Sequence, residues 1–285
     1  MTIFWDCKAR KTFDAPLISL QGGEFLMGED RPEIARASDG EGLVRVVSVA
    51  PFEMSATVVT VAQFAAFIEA TGYCTSVEEF GWSYVFHRHL SVETRKHARG
   101  YSGEGTWWIG VDGASWKHPE GSGSHIKQRD DHPAVHVSWL DAQAFCAWSE
   151  TRLPSEAEWE FAARGGLARK IFPWGDELLP KDKKGRAEHR MNVWQGKFPD
   201  LDTGADGFKN TAPARSFAPN DFGFYNMTGN VWQWCADWFR TGQTRAIRGG
   251  SFLCHSSYCN RYRCAARTGN TEDATSSHAG FRVAR

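Results

Sequence analysis

Turn-forming residues and large aromatic side chains are both abundant in this chain. Its 285 residues include 28 glycines and 11 prolines, together with 13 tryptophans and 19 phenylalanines. Glycine and proline interrupt helices and strands, whereas each buried aromatic ring covers a large apolar area. The sequence therefore predicts an irregular α/β fold, low in regular secondary structure, that forms one domain over residues 1–285.

Three helices are predicted from capping patterns. Ser138 with Asp141, and Ser155 with Glu158, have the spacing of a capping box. A third helix is predicted to begin after Thr60, because apolar residues follow it at helical spacing up to a glycine stop. Apolar runs predict strands at residues 43–49, 134–137 and 281–283.

The charge balance argues against several kinds of partner. With 33 basic and 34 acidic residues the net charge is −1 at pH 7, so neither nucleic acid nor a membrane surface is an expected partner. No apolar run reaches the roughly 18 residues that a membrane span needs. The segment from Met1 to Lys8 lacks the basic and apolar regions of a secretory signal. We expect a cytoplasmic monomer.

Cysteines recur at intervals of five residues, at Cys254, Cys259 and Cys264. In a strand such positions face opposite ways, and in a helix they lie far apart around the axis. Only a turn between Cys254 and Cys259 brings their sulfurs together, and Ser256 and Ser257 suit such a turn. Three interpretations remain, which are a disulfide, a two-thiolate site for a soft metal such as Cu(I), and buried, inert cysteines.

A second segment is rich in oxygen ligands. Asn192 is followed by Asp200, Asp202 and Asp206, with glycines at 204 and 207. Carboxylates and carbonyls in glycine-rich turns suit Ca²⁺, although solvated turns have the same composition. The spacing differs from that of an EF-hand, because Thr211 stands where that loop needs a glutamate.

Eight segments of the chain match the motifs of one known family. The segment Arg152–Glu160 is shared with a whole superfamily, whereas Asn192–Gly196 and Cys254–Arg267 are far more specific. The other matching segments are Gly22–Gly28, Thr71–Tyr73, Phe80–Phe86, Trp116–Gly121 and His132–Trp139. In these segments the chain resembles the formylglycine-generating enzymes, also called sulfatase-modifying factors. The resemblance implies the fold of that family, which is a variation on the C-type lectin fold.

The resemblance also implies an activity. The family uses O₂ and Cu(I) to oxidise one cysteine in a Cys-x-Pro-x-Arg motif of an unfolded or nascent sulfatase polypeptide, and the product is Cα-formylglycine. By position, Cys254 and Cys259 match the copper ligands. Ser251 and Tyr258 match pocket residues that orient oxygen species, and Trp232 matches an aromatic residue of the pocket wall.

The family carries structural calcium, and two sites are implied here. The first would take side-chain oxygens of Asn192 and Asp206 with backbone oxygens of Val193 and Phe208. The second would take Asn226, Gly229, Val231 and Gln233. A glutamate is usual where Gln233 stands, so the loss of one negative charge should weaken calcium binding there.

Two other functions compete with this oxidase. One is a non-catalytic module of the same superfamily that binds a peptide or a glycan, and the cysteine pair distinguishes the two because family members without it are not oxidases. The other is an iron-dependent sulfoxide synthase of the same fold, which needs a helical, histidine-rich partner domain.

Overall fold

The computed structural model describes residues 15–102 and 107–285, so the prediction drawn from Met1 to Lys8 lies outside the described residues. Helices in the described ranges are short. They are α1 (Val61–Thr71), α2 (Ser76–Phe80), α3 (Val92–Lys96), α4 (Trp139–Trp148) and α5 (Glu156–Arg164). None of these helices is long and apolar enough to cross a bilayer.

The strands form several small sheets instead of one large one. They are β1 (Leu17–Leu20), β2 (Gly23–Met27), β3 (Arg45–Val49), β4 (Phe52–Ser55), β5 (Trp82–Phe86), β6 (Gly100–Ser102), β7 (Trp108–Asp112), β8 (Gly196–Lys197), β9 (Leu201–Asp202), β10 (Trp232–Arg240), β11 (Thr244–Arg248), β12 (Arg267–Asn270) and β13 (Ala279–Phe281). The largest described sheet has the order β12-β11-β10-β13, and β13 runs parallel to β10. A three-stranded sheet has the order β5-β7-β6, and the pairs β1-β4, β2-β3 and β8-β9 complete the described sheets.

Capping chemistry explains where the three predicted helices begin. Thr60, Ser138 and Ser155 each accept a hydrogen bond from the backbone N–H three residues later, and each is part of a capping box. Helices α1 and α5 end at Gly72 and Gly165, both in the left-handed conformation. The three helix predictions are confirmed.

One of the three strand predictions is wrong, and the other two overlap the observed strands only in part. Residues 134–137 are buried but not a strand, because the Ala134 N–H donates to Val59 and the His136 N–H to Ser276, while His136 has a φ of 59°. This segment therefore bonds to two unrelated neighbours instead of a ladder. The strands predicted at 43–49 and 281–283 occupy Arg45–Val49 and Ala279–Phe281.

The main aromatic core lies between α1, α4 and β13. Phe64 of α1 stacks on Phe145 of α4 with centroids 6.1 Å apart, and Phe281 of β13 contacts both rings edge-on. All three side chains are fully buried. Because β13 pairs with β10 beside Trp232, this core fixes the strand that carries a predicted pocket residue.

A buried ion network fastens the loop between β11 and β12, residues 249–266, to α5. Glu160 accepts hydrogen bonds from Arg248 and from Arg164 Nη2, the latter at 2.6 Å. Arg248 also donates to the carbonyl oxygens of Cys264 and Ala265, at 3.0 and 3.3 Å. Since Arg248 comes just before this cysteine loop and Cys264 lies near its end, one guanidinium holds the two ends of the loop together.

Candidate active site

The cysteine loop makes a tight turn at His255. The backbone N–H groups of Tyr258, Cys259 and Asn260 all donate to the carbonyl oxygen of His255, each at 3.0 Å. The turn reverses the chain between the two cysteines, so Cys254 Sγ lies 2.7 Å from Cys259 Sγ, and both cysteines are free thiols. Their predicted convergence is confirmed.

Burial and hydrogen bonding shift the pKa values of the two thiols in opposite directions. Burial raises the pKa of the Cys254 thiol well above its usual range, and donation of its S–H to Cys259 raises that pKa further. The bond donated by Cys254, together with the backbone N–H and guanidinium of Arg261, lowers the pKa of Cys259. Cys259 is therefore the thiol that ionises more readily.

Ser251 contacts Cys254 directly, and Tyr258 packs against two aromatic rings. The Ser251 N–H donates to Cys254 Sγ at 3.4 Å, and Ser251 is fully buried. The Tyr258 ring stacks on Phe198 at 4.7 Å and meets Trp107 edge-on at 4.6 Å. These contacts fix the turn that positions the sulfurs.

A cavity of about 490 Å³ opens at the two sulfurs. All five residues predicted for the pocket line it, namely Trp232, Ser251, Cys254, Tyr258 and Cys259. Residues 273–276, 278 and 279 also line the cavity, together with residues of the β5-β7-β6 sheet that include Trp82, Tyr84 and Trp108. The structure thus brings the predicted copper ligands and pocket residues into one site.

Sequence reasoning missed the three cavity residues that carry a guanidinium, a carboxylate or an imidazole group. Arg261 lies at its lining, and its Nε donates to Asp39 Oδ1 at 2.7 Å. Asp273 is the single carboxylate among the described lining residues. His278 stacks on Trp108 at 4.3 Å, and burial lowers its pKa to about 3. Arg261 lies two residues from Cys259, so proximity could have suggested it, whereas no sequence pattern marks Asp273 or His278.

The donor set of the cysteine pair fits a soft monovalent metal. The two sulfurs face each other at the cavity, and within residues 15–102 and 107–285 no group of three or more His, Cys, Asp or Glu side chains is placed to hold a metal ion. Thiolates bind Cu(I), zinc and iron–sulfur clusters, and zinc and the clusters favour four protein ligands, so a pair of sulfurs fits Cu(I) best.

Three residues of the first implied calcium set, Asp206, Val193 and Phe208, are in contact, whereas the buried Asn192 donates its Nδ2 to the Asn210 carbonyl oxygen at 2.8 Å. Asp206 is buried, its Oδ2 accepts from the Val193 N–H at 3.0 Å, and its Oδ1 accepts from the Phe208 N–H at 3.1 Å. Burial raises the pKa of Asp206, and no Lys or Arg of the described chain forms an ion pair with it. A buried carboxylate that lacks a cationic side chain fits a calcium ion.

The second implied set does not fit. Asn226 and Gln233 are adjacent and buried, but Gln233 Nε2 donates to the Asn226 carbonyl oxygen at 3.0 Å. Gln233 Oε1 accepts from Trp159 and from Arg282, at 2.8 and 2.7 Å. The side chain that would bind the ion is thus fully engaged with protein groups.

Residues 6–285 match the family described as "Sulfatase-modifying factor enzyme 1-like domain". The chain is 50% identical over 287 residues to a formylglycine-generating enzyme of Thermomonospora curvata, with 94% of this chain and 92% of that protein covered. These similarities confirm the resemblance that the sequence motifs indicated.

Two further similarities are to a relative that is named as inactive and to a solved structure. The chain is 43% identical to an "Inactive C-alpha-formylglycine-generating enzyme 2" of Bos taurus, over 94% of this chain and 87% of that protein. The structure of PvdO from Pseudomonas aeruginosa superposes with a TM-score of 0.68 at 26% identity, over 97% of this chain and 99% of the other. The fold prediction is therefore confirmed.

Proposed function

Because this chain belongs to the formylglycine-generating enzyme, or sulfatase-modifying factor, family, we propose that it converts the cysteine of a Cys-x-Pro-x-Arg motif to Cα-formylglycine. The substrate is an unfolded or nascent sulfatase polypeptide, and O₂ is the oxidant. The observation that carries the proposal is the pair of free sulfurs, 2.7 Å apart, at the end of an aromatic cavity. A cytoplasmic location and a monomeric state remain predictions.

Cys254 and Cys259 would hold Cu(I) at this site. When bound, Cu(I) supplies a soft coordination position for the substrate thiol and a redox centre for O₂. Metal binding requires that the thiols lose their protons, and the guanidinium of Arg261 beside Cys259 favours that loss. Asp39 fixes Arg261 in place through its 2.7 Å hydrogen bond.

The surrounding residues would orient the reactants and exclude water. Ser251 contributes a hydroxyl, Tyr258 a phenol, and Trp232 an apolar wall next to the sulfurs. The substrate cysteine loses its S–H hydrogen and one Cβ hydrogen together with two electrons, water adds to the resulting carbon–sulfur double bond, and the sulfur then leaves as hydrogen sulfide to give the aldehyde. O₂ is reduced to water by those two electrons and by two from an external thiol reductant, so atoms and electrons balance.

We further propose that Asp273 binds the arginine of the substrate motif. Arg261 is already paired with Asp39, whereas Asp273 has no ion pair among the described residues and lines the same cavity as the sulfurs. Three residues lie between the substrate cysteine and its arginine, so the four steps along an extended chain span up to about 14 Å. The carboxylate of Asp273 in the same cavity is therefore the complement of that cation.

Reversal of the charge at residue 273 should shift the substrate preference from an arginine to a glutamate at the last position of the motif. We expect Asp273→Lys to lower kcat/KM for a Cys-x-Pro-x-Arg peptide about 10-fold or more, since a charged hydrogen bond is worth roughly 1.5–3 kcal/mol. The same variant should gain activity on a Cys-x-Pro-x-Glu peptide. The matched control is Glu272→Gln, because Glu272 pairs with Arg245 at 2.8 Å and does not line the cavity. Equal kcat/KM of wild type and Asp273→Lys for the arginine peptide would refute the assignment.

A structural calcium ion is proposed at Asn192, Val193, Asp206 and Phe208. The support is the buried Asp206 carboxylate, which both neighbouring backbone N–H groups already orient. The ion would stabilise the segment that begins at Asn192. This segment reaches the active site directly, because the Trp194 N–H donates to the Cys254 carbonyl oxygen at 3.1 Å.

Mass spectrometry of a peptide tests the proposed reaction. A Cys-x-Pro-x-Arg peptide incubated with the copper-loaded protein, O₂ and a thiol should lose one sulfur and two hydrogens and gain one oxygen, and the product should react with an aldehyde probe. A protein that binds the peptide but leaves it unchanged under these conditions would instead support the alternative of a non-catalytic binding module.

A further inference from the structure

The Gln233 side chain lies at the centre of the second implied calcium site, and it is fully buried. We infer that its amide takes the place of a metal ion, so that the segment from Asn226 to Gln233 is held in this protein without calcium. The inference is independent of the proposed oxidase reaction.

The hydrogen bonds of Gln233 are all made to protein groups. Its Nε2 donates to the carbonyl oxygens of Asn226 and Met227, at 3.0 and 3.3 Å. Its Oε1 accepts from Trp159 Nε1 at 2.8 Å and from Arg282 Nε at 2.7 Å. The partners fix the orientation of the amide, because indole and guanidinium only donate and carbonyl oxygens only accept. Two donors and two lone pairs are thus used, and none is left for a cation.

A glutamate at position 233 would need a cation beside it. A carboxylate accepts and does not donate, so one of its oxygens would face the carbonyl oxygens of Asn226 and Met227 with no proton between them. A cation between these oxygens would remove the repulsion. In this protein the two N–H groups of the Gln233 amide bind these carbonyl oxygens, so no cation is needed.

The charge around the site also disfavours calcium. Arg282 is fully buried, and its other nitrogens donate to the carbonyl oxygens of Ser55 and Tyr225, at 2.8 and 2.9 Å. No carboxylate of the described chain forms an ion pair with Arg282. A divalent ion next to this uncompensated guanidinium would be repelled in a medium of low dielectric constant.

The second implied set offers calcium no negatively charged oxygen. Asn226 Oδ1 is buried without a hydrogen-bond partner in the described residues, and it is the atom here that favours a cation. It is a neutral oxygen, and Gly229 and Val231 would add only neutral backbone oxygens, whereas the six to eight oxygens around calcium usually include carboxylates. The backbone is also closely packed around the amide, since a Cβ on Gly249 would lie 2.5 Å from the Met227 carbonyl oxygen and 3.3 Å from Gln233 Nε2.

Counting bound calcium after equilibrium dialysis tests the inference. Wild type should bind at most one equivalent, which belongs to the Asp206 site, and Asp206→Asn should bind none. Gln233→Glu should bind one equivalent more than wild type. The matched control is Gln243→Glu, which adds the same charge at an exposed position of the β10–β11 turn and should add no calcium.

Thermal unfolding gives a second readout in the Asp206→Asn background. Asp206→Asn alone should have the same midpoint in chelator and in calcium. Asp206→Asn with Gln233→Glu should unfold at least about 5 °C higher when calcium is 100-fold above its dissociation constant. Two equivalents bound to wild type, one equivalent retained by Asp206→Asn, or no added calcium in Gln233→Glu would each overturn the inference. The counts on wild type and Gln233→Glu decide the matter even where Asp206→Asn fails to fold.

Discussion

Replacement of either Cys254 or Cys259 by alanine should abolish aldehyde formation and leave the fold intact. Each variant removes one of the two sulfurs that would hold Cu(I), and a metal site with one remaining thiolate loses both its affinity and its geometry. Since metal assistance is worth several kcal/mol in the transition state, we expect a loss of more than about 1000-fold in the rate of peptide conversion.

The structural cost of these substitutions should be small. Both side chains are buried in the cavity wall, and removal of one sulfur atom should cost about 1 kcal/mol, which is typical of a point substitution. Cys264→Ala is the matched control, because Cys264 is buried outside the cavity and its loss should leave conversion unchanged. Substantial conversion by Cys254→Ala, with copper binding lost, would separate the activity from the metal site.

Ser251 and Tyr258 give a graded contrast with the cysteines. Their side chains carry hydroxyl groups and not the thiolates that would bind Cu(I). Ser251→Ala and Tyr258→Phe should therefore slow peptide conversion and preserve copper binding. Measurement of copper affinity beside turnover distinguishes this effect from loss of the metal.

The second large effect is expected at Glu160. Glu160→Gln should destabilise the protein by about 3–5 kcal/mol, because it leaves the guanidinium groups of Arg248 and Arg164 buried with too little negative charge. The cysteine loop should loosen as well, since Arg248 ties its ends together through Cys264 and Ala265. Urea unfolding measures the stability, and the rate at which a thiol reagent modifies the cysteines measures the loop.

An exposed ion pair provides the control for this substitution. Glu93 pairs with Lys96 at 2.9 Å on the surface, and both side chains are largely exposed. Glu93→Gln should leave the unfolding midpoint and the thiol reactivity unchanged, because solvent screens such pairs. A Glu160→Gln protein that unfolds at the wild-type midpoint would show that the buried network contributes little to stability.

Local patterns predicted the parts of this fold that depend on local chemistry. Thr60, Ser138 and Ser155 mark the starts of α1, α4 and α5, because an N-cap acts within a few residues of itself. Residues 134–137 were predicted wrongly for the same reason. Their apolar run resembles a strand, but their hydrogen-bond partners, at Val59 and Ser276, are distant in sequence.

In the candidate site, too, the features set by nearby residues were predicted and those set by distant residues were not. The five-residue spacing of Cys254 and Cys259 indicated that a turn was needed to bring them together, and the family resemblance selected copper among the three interpretations. The pairing of Arg261 with Asp39 spans 222 residues, so no local pattern predicts it. The Gln233 network likewise joins Trp159, Arg282 and Asn226 from three separate segments, and the sequence showed only that one carboxylate was missing.

The most direct test of the central claim is a titration of metal-free protein with Cu(I) in which bound copper and peptide conversion are measured on the same samples. The cysteine pair predicts that conversion of a Cys-x-Pro-x-Arg peptide rises linearly with copper up to one equivalent per chain and then stays constant. It also predicts that Cys254→Ala and Cys259→Ala show neither the binding nor the conversion. Full conversion by the protein before any copper is added would contradict the account.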